Sequence, residues 1–368
     1  MDTTSLLNIG TRLQNGRYTI EQPLSSGGFG NTYLAYDKNL EEHVAIKEFF
    51  MKGDTHRGPD SLSVMVSNDT KQSLFDDQRK KFRKEAQRIR ELNNPHIVRV
   101  HDLFDENNTS YYVMDFIDGQ SLLQLLKKRQ GPMTEAEVRA MLPQILNALQ
   151  EIHKHGIYHL DLKPANIMTD KHDVVKLIDF GASKQLGVDG QGLTSTAMCY
   201  TPGYAPSEQI ERNYSKVGPW TDFYALGATL YHVLTCHIPP SISDLQDQLT
   251  AIRKDEDVKP LFLYPDGLSF PMRNLIEWMM HPTRTERPQN MDDLKRRMKQ
   301  WDGKWDQAIN HHSSVDDDED SDITVIDSDH SRASGVNPLS CRHCGLVIPP
   351  EWNDGKNCYC WQCGKPLK

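Results

Sequence analysis

The stretch YHLDLKPANIM, residues 158–168, decides how this chain is read. Asp161 and Lys163 lie two residues apart and can point the same way from an extended loop, and Asn166 follows five residues after Asp161. Phosphoryl transfer needs a carboxylate that orients an attacking hydroxyl and takes its proton. It also needs positive charge beside the moving group and a ligand for Mg2+. Asp161, Lys163 and Asn166 supply those three roles. Taken alone, the stretch also reads as a polar turn with a chance Asp and Asn. The next motif argues against that. In LIDFG, residues 177–181, Asp179 ends an apolar strand. There a carboxylate can reach a Mg2+ that bridges nucleotide phosphates, and Phe180 packs inward to set the loop.

Upstream, VAIK (44–47) places Lys47 on a strand that otherwise wants apolar residues. A helix carrying Glu85 follows, and a Lys–Glu pair would hold the ammonium against the α- and β-phosphates of a nucleotide. Further upstream, SSGGFGNTY (25–33) separates the alternating runs GRYTIEQPL and NTYLAYD, which is a hairpin signal. Its glycines let backbone N–H groups approach phosphate oxygens with no Cβ in the way, although by itself it also reads as a plain Gly-rich turn.

The remaining elements follow from periodicity. HVAIKEFF is a third strand, and HIVRVHDLF and SYYVMDFI are two more. Between them DDQRKKFRKEAQRIRELNN reads as a helix, with Phe82, Ala86, Ile89 and Leu92 on one face. The polar stretch from Met51 to about Asp76 is long for a connection and reads as a mobile or family-specific insertion. After Ser121 helices dominate. EAEVRAMLPQILNALQEIHKHG ends at Gly156, a C-cap signal, and TDFYALGATLYHVLTC, MRNLIEWMM and MDDLKRRMKQW follow the short β-like pieces around 158–180.

Together these motifs resemble the protein-kinase superfamily from about Arg17 to Trp301, in its Ser/Thr branch; KEFF, HLDLKPANIM and TPGYAPSEQ resemble its bacterial members. The resemblance implies an α+β, bilobal fold with a β-rich N-lobe (17–117) and an α-rich C-lobe (118–302), after an N-terminal extension (1–16). It implies ATP with Mg2+ (or Mn2+) as cofactor. Lys47, Glu85, Asp161 and Lys163 become the catalytic set, with Asn166 and Asp179 as Mg2+ ligands. The nucleotide would be held by Ser25, Gly27, Gly28, Gly30, Thr32, Ala45, Lys47, Met114, Asp115, Ile117, Ser121 and Met168. Met114 would gate the adenine pocket, and Asp115 to Ile117 would form the hinge. Residues 182–208 match the activation segment, whose Glu208 would pair with Arg287. Lys163 and Thr201 imply Ser/Thr rather than Tyr specificity.

Three positions depart from the family pattern. Ser25 replaces the first loop glycine and Thr32 a valine over the adenine. Leu160 replaces the arginine that normally pairs with a phosphorylated activation loop, so activity is expected not to depend on phosphate at Thr194, Ser195 or Thr196.

The net charge of −9 is mostly local. Eight acids between 313 and 330, with no Lys or Arg there, account for −8 and leave about −1 elsewhere. Residues 303–338 therefore read as an acidic disordered linker. Within it, Thr324 with Asp327 resembles a target of phosphothreonine-binding modules, against the plainer reading of a solvated tail. Five of the seven cysteines fall in the last 28 residues. Cys341, Cys344, Cys360 and Cys363, as two C-x-x-C-G knuckles, read as a zinc ribbon over 339–368 holding a structural Zn2+. No secretory signal or spanning segment is read, so a cytoplasmic location is expected, with neither membrane nor nucleic acid as a partner. The leading functional reading is a Ser/Thr protein kinase acting on protein substrates. The alternatives are a pseudokinase scaffold and a small-molecule phosphotransferase of related fold.

Overall fold

A computed structural model describes residues 5–28, 30–180, 201–254, 256, 258–302 and 305, with the backbone alone at 184–185, 214, 339–340 and 347–348. Thr194, Ser195, Thr196, Thr324 and the ribbon cysteines lie outside the described residues.

The chain folds into two lobes. The first is a six-stranded antiparallel sheet. Its strands are β1 (Arg12–Leu13), β2 (Tyr18–Gly27), β3 (Gly30–Asp37) and β4 (Glu42–Phe49), then, after the short strands β5 (Thr55–Arg57) and β6 (Val64–Val66), β7 (Val100–Glu106) and β8 (Thr109–Asp115). The sheet order is β1-β2-β3-β4-β8-β7, and β5 and β6 form a separate hairpin. Alternation along β3, GNTYLAYD, puts every second side chain inside.

Helix α1 (Gln72–Arg90) packs against this sheet. It begins four residues before the expected start at Asp76, and the extra turn buries Phe75. Phe82, Ala86, Ile89 and Leu92 are all buried, as their spacing predicts. Residues 51–71, expected as a mobile or family-specific insertion, fold as the β5–β6 hairpin and a 3-10 turn, which removes the mobile alternative. Residues 5–13, before the resemblance begins, pack on the same lobe: Leu7 and Leu13 are buried among Tyr18, Tyr33 and Val113.

The chain crosses to the second lobe through β9 (Gly119–Ser121) and α2 (Leu122–Arg129). A Cβ at Gly119 would lie 2.0 Å from the Thr169 carbonyl, so only glycine fits the crossing. Helix α3 (Glu135–Lys154) starts on a Thr134–Glu137 capping box and stops before Gly156, whose φ is +66°. Then come β10 (Ile157–Tyr158), β11 (Ile167–Asp170) and β12 (Val175–Leu177), with β13 (Lys184–Gln185) paired to β10. Five helices complete the lobe: α4 (Ser207–Ile210), α5 (Pro219–Thr235), α6 (Ile242–Arg253), α7 (Phe270–Met279) and α8 (Met291–Trp301). α5 is buried on nearly all sides and forms the lobe's axis. Beyond α8, Trp305 is buried, with the Arg139 guanidinium 4.5 Å from its ring. No helix among the described residues is long and apolar enough to cross a membrane.

Candidate active site

The site lies where the sheet faces the second lobe. Cross-strand register sets its upper wall. Ser25 pairs with Thr32, Thr32 with Lys47 and Lys47 with Tyr112, one row across β2, β3, β4 and β8. Two positions along β4, Ala45 pairs with Met114. Side chains two apart on a strand share a face, so Ala45, Lys47 and Met114 line the same side. Gly27 pairs with Gly30 at the end of the β2–β3 hairpin. A Cβ at Gly30 would meet the Glu48 carbonyl at 2.7 Å, whereas one at Gly28 would touch nothing. Glycine at 28 thus has no steric origin among the described residues, and the space beside the turn is open. Below, Met168 pairs with Ser121 across β11 and β9. The Ser121 hydroxyl caps α2, accepting the Gln124 amide at 3.2 Å. At the hinge the Asp115 carboxylate bonds His101 at 2.7 Å, and its amide donates to the Arg99 carbonyl at 3.0 Å.

Lys47 reaches two carboxylates, Asp179 at 2.7 Å and Glu85 at 3.4 Å. Tyr112 donates its hydroxyl to Glu85 at 3.2 Å. Burial works against the Lys47 charge, but Asp179 and Glu85 outweigh it and hold its pKa well above the ordinary value. Lys47 in turn draws Asp179 down to about 2, against burial. Glu85 is pushed up by burial, only partly offset by Lys47. The shorter contact therefore marks the stronger partner: Asp179 carries most of the pairing with Lys47. Its side chain is 44% exposed to the cleft, so water screens part of that attraction.

Asp161 is held from three sides. Lys163 Nζ and Asn166 Nδ2 donate to Oδ2 at 2.8 and 2.9 Å, and Thr201 Oγ1 donates to Oδ1 at 3.0 Å. Lys163 also donates to Thr201 Oγ1 at 3.0 Å, and Asn166 to the Asp161 carbonyl at 2.9 Å. The structure thus brings Asp161, Lys163, Asn166 and Thr201 into one network, and Lys47, Glu85 and Asp179 into a second.

The loop bearing Asp161 rests on a residue that the sequence reading passed over. Asp222 of α5 is fully buried. Its carboxylate accepts the His159 amide at 3.0 Å, the Leu160 amide at 2.9 Å and His153 Nε2 at 2.8 Å. Those bonds, with Gln209 donating to the Leu160 carbonyl at 2.6 Å, keep Leu160 at φ +61°, a conformation costly for a branched residue. The Leu160 side chain is buried with Tyr158 and Val217. His159 accepts the Asp161 amide on Nδ1 at 3.3 Å and faces the Ile178 carbonyl with Nε2 at 3.2 Å. That pattern fixes a neutral ring with its proton on Nε2, and burial lowers its pKa to match. Phe180, buried, packs 4.6 Å from this ring. The only sequence signal for Asp222 is one acid in the otherwise apolar helix TDFYALGATLYHVL. The Glu208–Arg287 pair forms as expected, at 2.8 Å and out of water.

The protein kinase domain family matches residues 18–298. Among curated proteins, serine/threonine-protein kinase F of Synechocystis is 35% identical over 237 residues, covering 60% of this chain and 44% of its own length. Serine/threonine-protein kinase PknB of Mycobacterium tuberculosis is 32% identical over 258 residues, covering 69% of this chain and 38% of its own length. A probable serine/threonine-protein kinase of Streptomyces coelicolor is 33% identical over 238 residues, covering 63% and 32%. The chain thus spans less than half the length of these relatives. Among solved structures, the apo form of PpkA-294 superposes with a TM-score of 0.65 at 27% identity, over 80% of this chain and 99% of that one. None of these matches names a zinc site, and the family match ends before the Cys-rich tail. The relatives are bacterial serine/threonine-protein kinases, and the chain belongs to the protein kinase family.

Proposed function

We propose that the chain transfers the γ-phosphate of ATP to Ser or Thr hydroxyls of proteins. The Asp161 network carries this reading. Both carboxylate oxygens are oriented by donors from Lys163, Asn166 and Thr201. Asp161 would orient the substrate hydroxyl and take its proton. Lys163, 2.8 Å away, would stabilise charge on the moving phosphoryl group. Lys47, kept charged by Asp179 and Glu85, would bind the α- and β-phosphates beneath the glycine turn. Ala45 and Met168 would sandwich the base, beside Met114 and the Asp115–Ile117 hinge.

The donor set fits Mg2+. Among the described residues no three His, Cys, Asp or Glu side chains gather as an all-protein cage. Asn166 spends Nδ2 on Asp161, which leaves its amide oxygen as an acceptor, and Asp179 supplies a carboxylate. One amide oxygen and one carboxylate, completed by phosphate and water, is the sparse set that Mg2+ takes. When bound, the ion would neutralise charge on the phosphates.

Leu160 supports a non-RD type. Its side chain is buried in an apolar cluster, so position 160 itself offers no cation to an activation-loop phosphate. Radiolabelled ATP with a generic protein substrate tests the whole reading. The parent chain should label the substrate, before and after phosphatase treatment, and Asp161→Asn should not. A parent no more active than Asp161→Asn would leave the scaffold reading in place, and activity lost to phosphatase would remove the non-RD reading.

Beyond 338, the paired C-x-x-C-G spacing of Cys341, Cys344, Cys360 and Cys363 supports a structural Zn2+ in a separate small module. Metal analysis should find one zinc per chain, lost in Cys341→Ser; a metal-free chain would end that part of the reading.

A further inference from the structure

Glu48 follows Lys47 on β4, so its side chain leaves the opposite face of the sheet. It is a fully buried carboxylate. Arg57, from β5, donates to both its oxygens, at 2.7 Å to Oε1 and 2.5 Å to Oε2. Tyr111 donates to Oε1 at 3.0 Å, and Tyr33 and Asn31 to Oε2 at 2.8 and 3.2 Å. Arg57 spends its other donors on the Ser5 carbonyl, at 3.2 and 3.0 Å, and the Leu62 carbonyl, at 2.9 Å. Well-packed apolar residues are often as stable as such a buried ion pair. Stability alone therefore does not account for it.

Two lines of contact run from this pair to the cleft. The first reaches the glycine turn. Asn31, bonded to Glu48 and to the Ser5 carbonyl at 3.1 Å, accepts from Ser26 Oγ at 2.8 Å. Asn31 and Ser26 flank Gly27 and Gly30 as a cross-strand pair. The Lys52 amide, at the start of the same excursion, donates to the Gly28 carbonyl at 3.0 Å. The second line reaches Lys47 and Glu85. The Arg57 guanidinium lies 5.1 Å from the Phe50 ring. The neighbouring Phe49 packs on Phe75 and Phe82 of α1 at 5.1 and 5.6 Å. Phe82 packs on Tyr112 at 4.9 Å, and Tyr112 donates to Glu85.

We propose that Arg57 and Glu48 form a positioning pair for phosphoryl transfer, holding the glycine turn and the Lys47–Glu85 contact in register from behind the sheet. The inference rests on the kinase reading and adds two residues to which that reading gives no role. Neither residue faces the cleft, so both act through Asn31 and the Phe49–Phe82–Tyr112 stack.

Arg57→Gln and Glu48→Gln test it in the full chain. kcat, KM for ATP and affinity for a fluorescent ADP analogue are measured at a temperature where circular dichroism shows each variant folded. The expected result is a higher KM for ATP and weaker ADP analogue binding, with kcat/KM lower by roughly tenfold to a hundredfold. The double variant should be no worse than the worse single one, because the two act as a unit. Folded variants with the parent's kcat, KM and analogue affinity overturn the proposal. If neither single variant folds, Asn31→Ala decides, since it leaves the charge pair intact and cuts the line to the glycine turn. A raised KM supports the proposal and an unchanged KM overturns it. A parent that binds the analogue but transfers no phosphate sinks the kinase reading, and the change in analogue affinity between parent and variants still decides the role of the pair.

Discussion

Each lobe buries a carboxylate–arginine pair, and the two are built differently. In the N-lobe, Glu48 accepts from Arg57 on both oxygens and from Tyr33, Tyr111 and Asn31 besides. In the C-lobe, Glu208 accepts from Arg287 at 2.8 Å and Thr221 at 3.0 Å, both on Oε1. Its Oε2 has no partner among the described residues. Both arginines sit close to an aromatic ring, Phe50 for Arg57 and Tyr224 for Arg287. The N-lobe carboxylate is therefore fully satisfied, and the C-lobe one depends on its single cation. The difference shows where each lobe is tolerant of damage: a buried charge survives loss of its partner only if other donors remain.

That contrast sets the largest expected effect. Removing one partner of a buried pair typically costs about 3–5 kcal/mol. Arg287→Ala should fall at the upper end. It strands a carboxylate with one hydroxyl donor, and it frees the His281 and Pro282 carbonyls that Arg287 binds at 2.7 and 3.1 Å. Arg57→Ala should fall at the lower end, because Tyr33, Tyr111 and Asn31 still face Glu48. Urea unfolding of the two variants measures this directly. If Arg57→Ala proves the more damaging, the residual donors do not cushion the charge, and the N-lobe pair is the tighter knot despite its extra partners.

The two pairs also differ in how visible they were. Glu208 and Arg287 sit in segments whose residue types are tied to known motifs, so their pairing was expected, as were Lys47, Asp161, Lys163, Asn166 and Asp179 as candidate site residues. Phosphoryl chemistry tolerates few residue types at those spacings, and the structure gathers them into two networks. Arg57 was invisible because its partner is nine residues away on a strand of a different sheet, and Arg57 itself lies in a stretch polar enough to read as an insertion. An arginine that lies buried on a carboxylate looks in sequence like one in water. Leu7 and Leu13 are too few to show a period, so the segment that covers the Glu48 side of the sheet was also missed. Asp222 was hidden for the opposite reason. It sits in a helix so apolar that one acid looks like noise, yet burial on all sides is what makes a lone Asp informative. The helices that carry the site were legible to within a turn, because amphipathic periodicity reports burial directly.

Acid should separate the two lobes by a smaller effect. Among the described residues, the histidines whose pKa is lowered by loss of solvation are His159, His232 and His281, all in the C-lobe. Each favours the neutral ring when folded but takes a proton in the unfolded chain near pH 6.5. Between those two pKa values the unfolded state binds more protons, so stability falls as pH drops below about 6.5 and levels off below the folded pKa. Asp179 behaves as a carboxylate held down to about 2. Its contribution is intact above its unfolded pKa of 3.8 and is lost only as pH falls toward about 2, well below the histidine window. Moving from about pH 7.5 to about pH 5.5 should therefore loosen the C-lobe first. Hydrogen exchange should rise in α3, α5 and α7 before it rises in β3, β4 and β8. Equal acceleration in both lobes, or greater stability at the acid end of that range, would mean that the histidines are not what acid attacks.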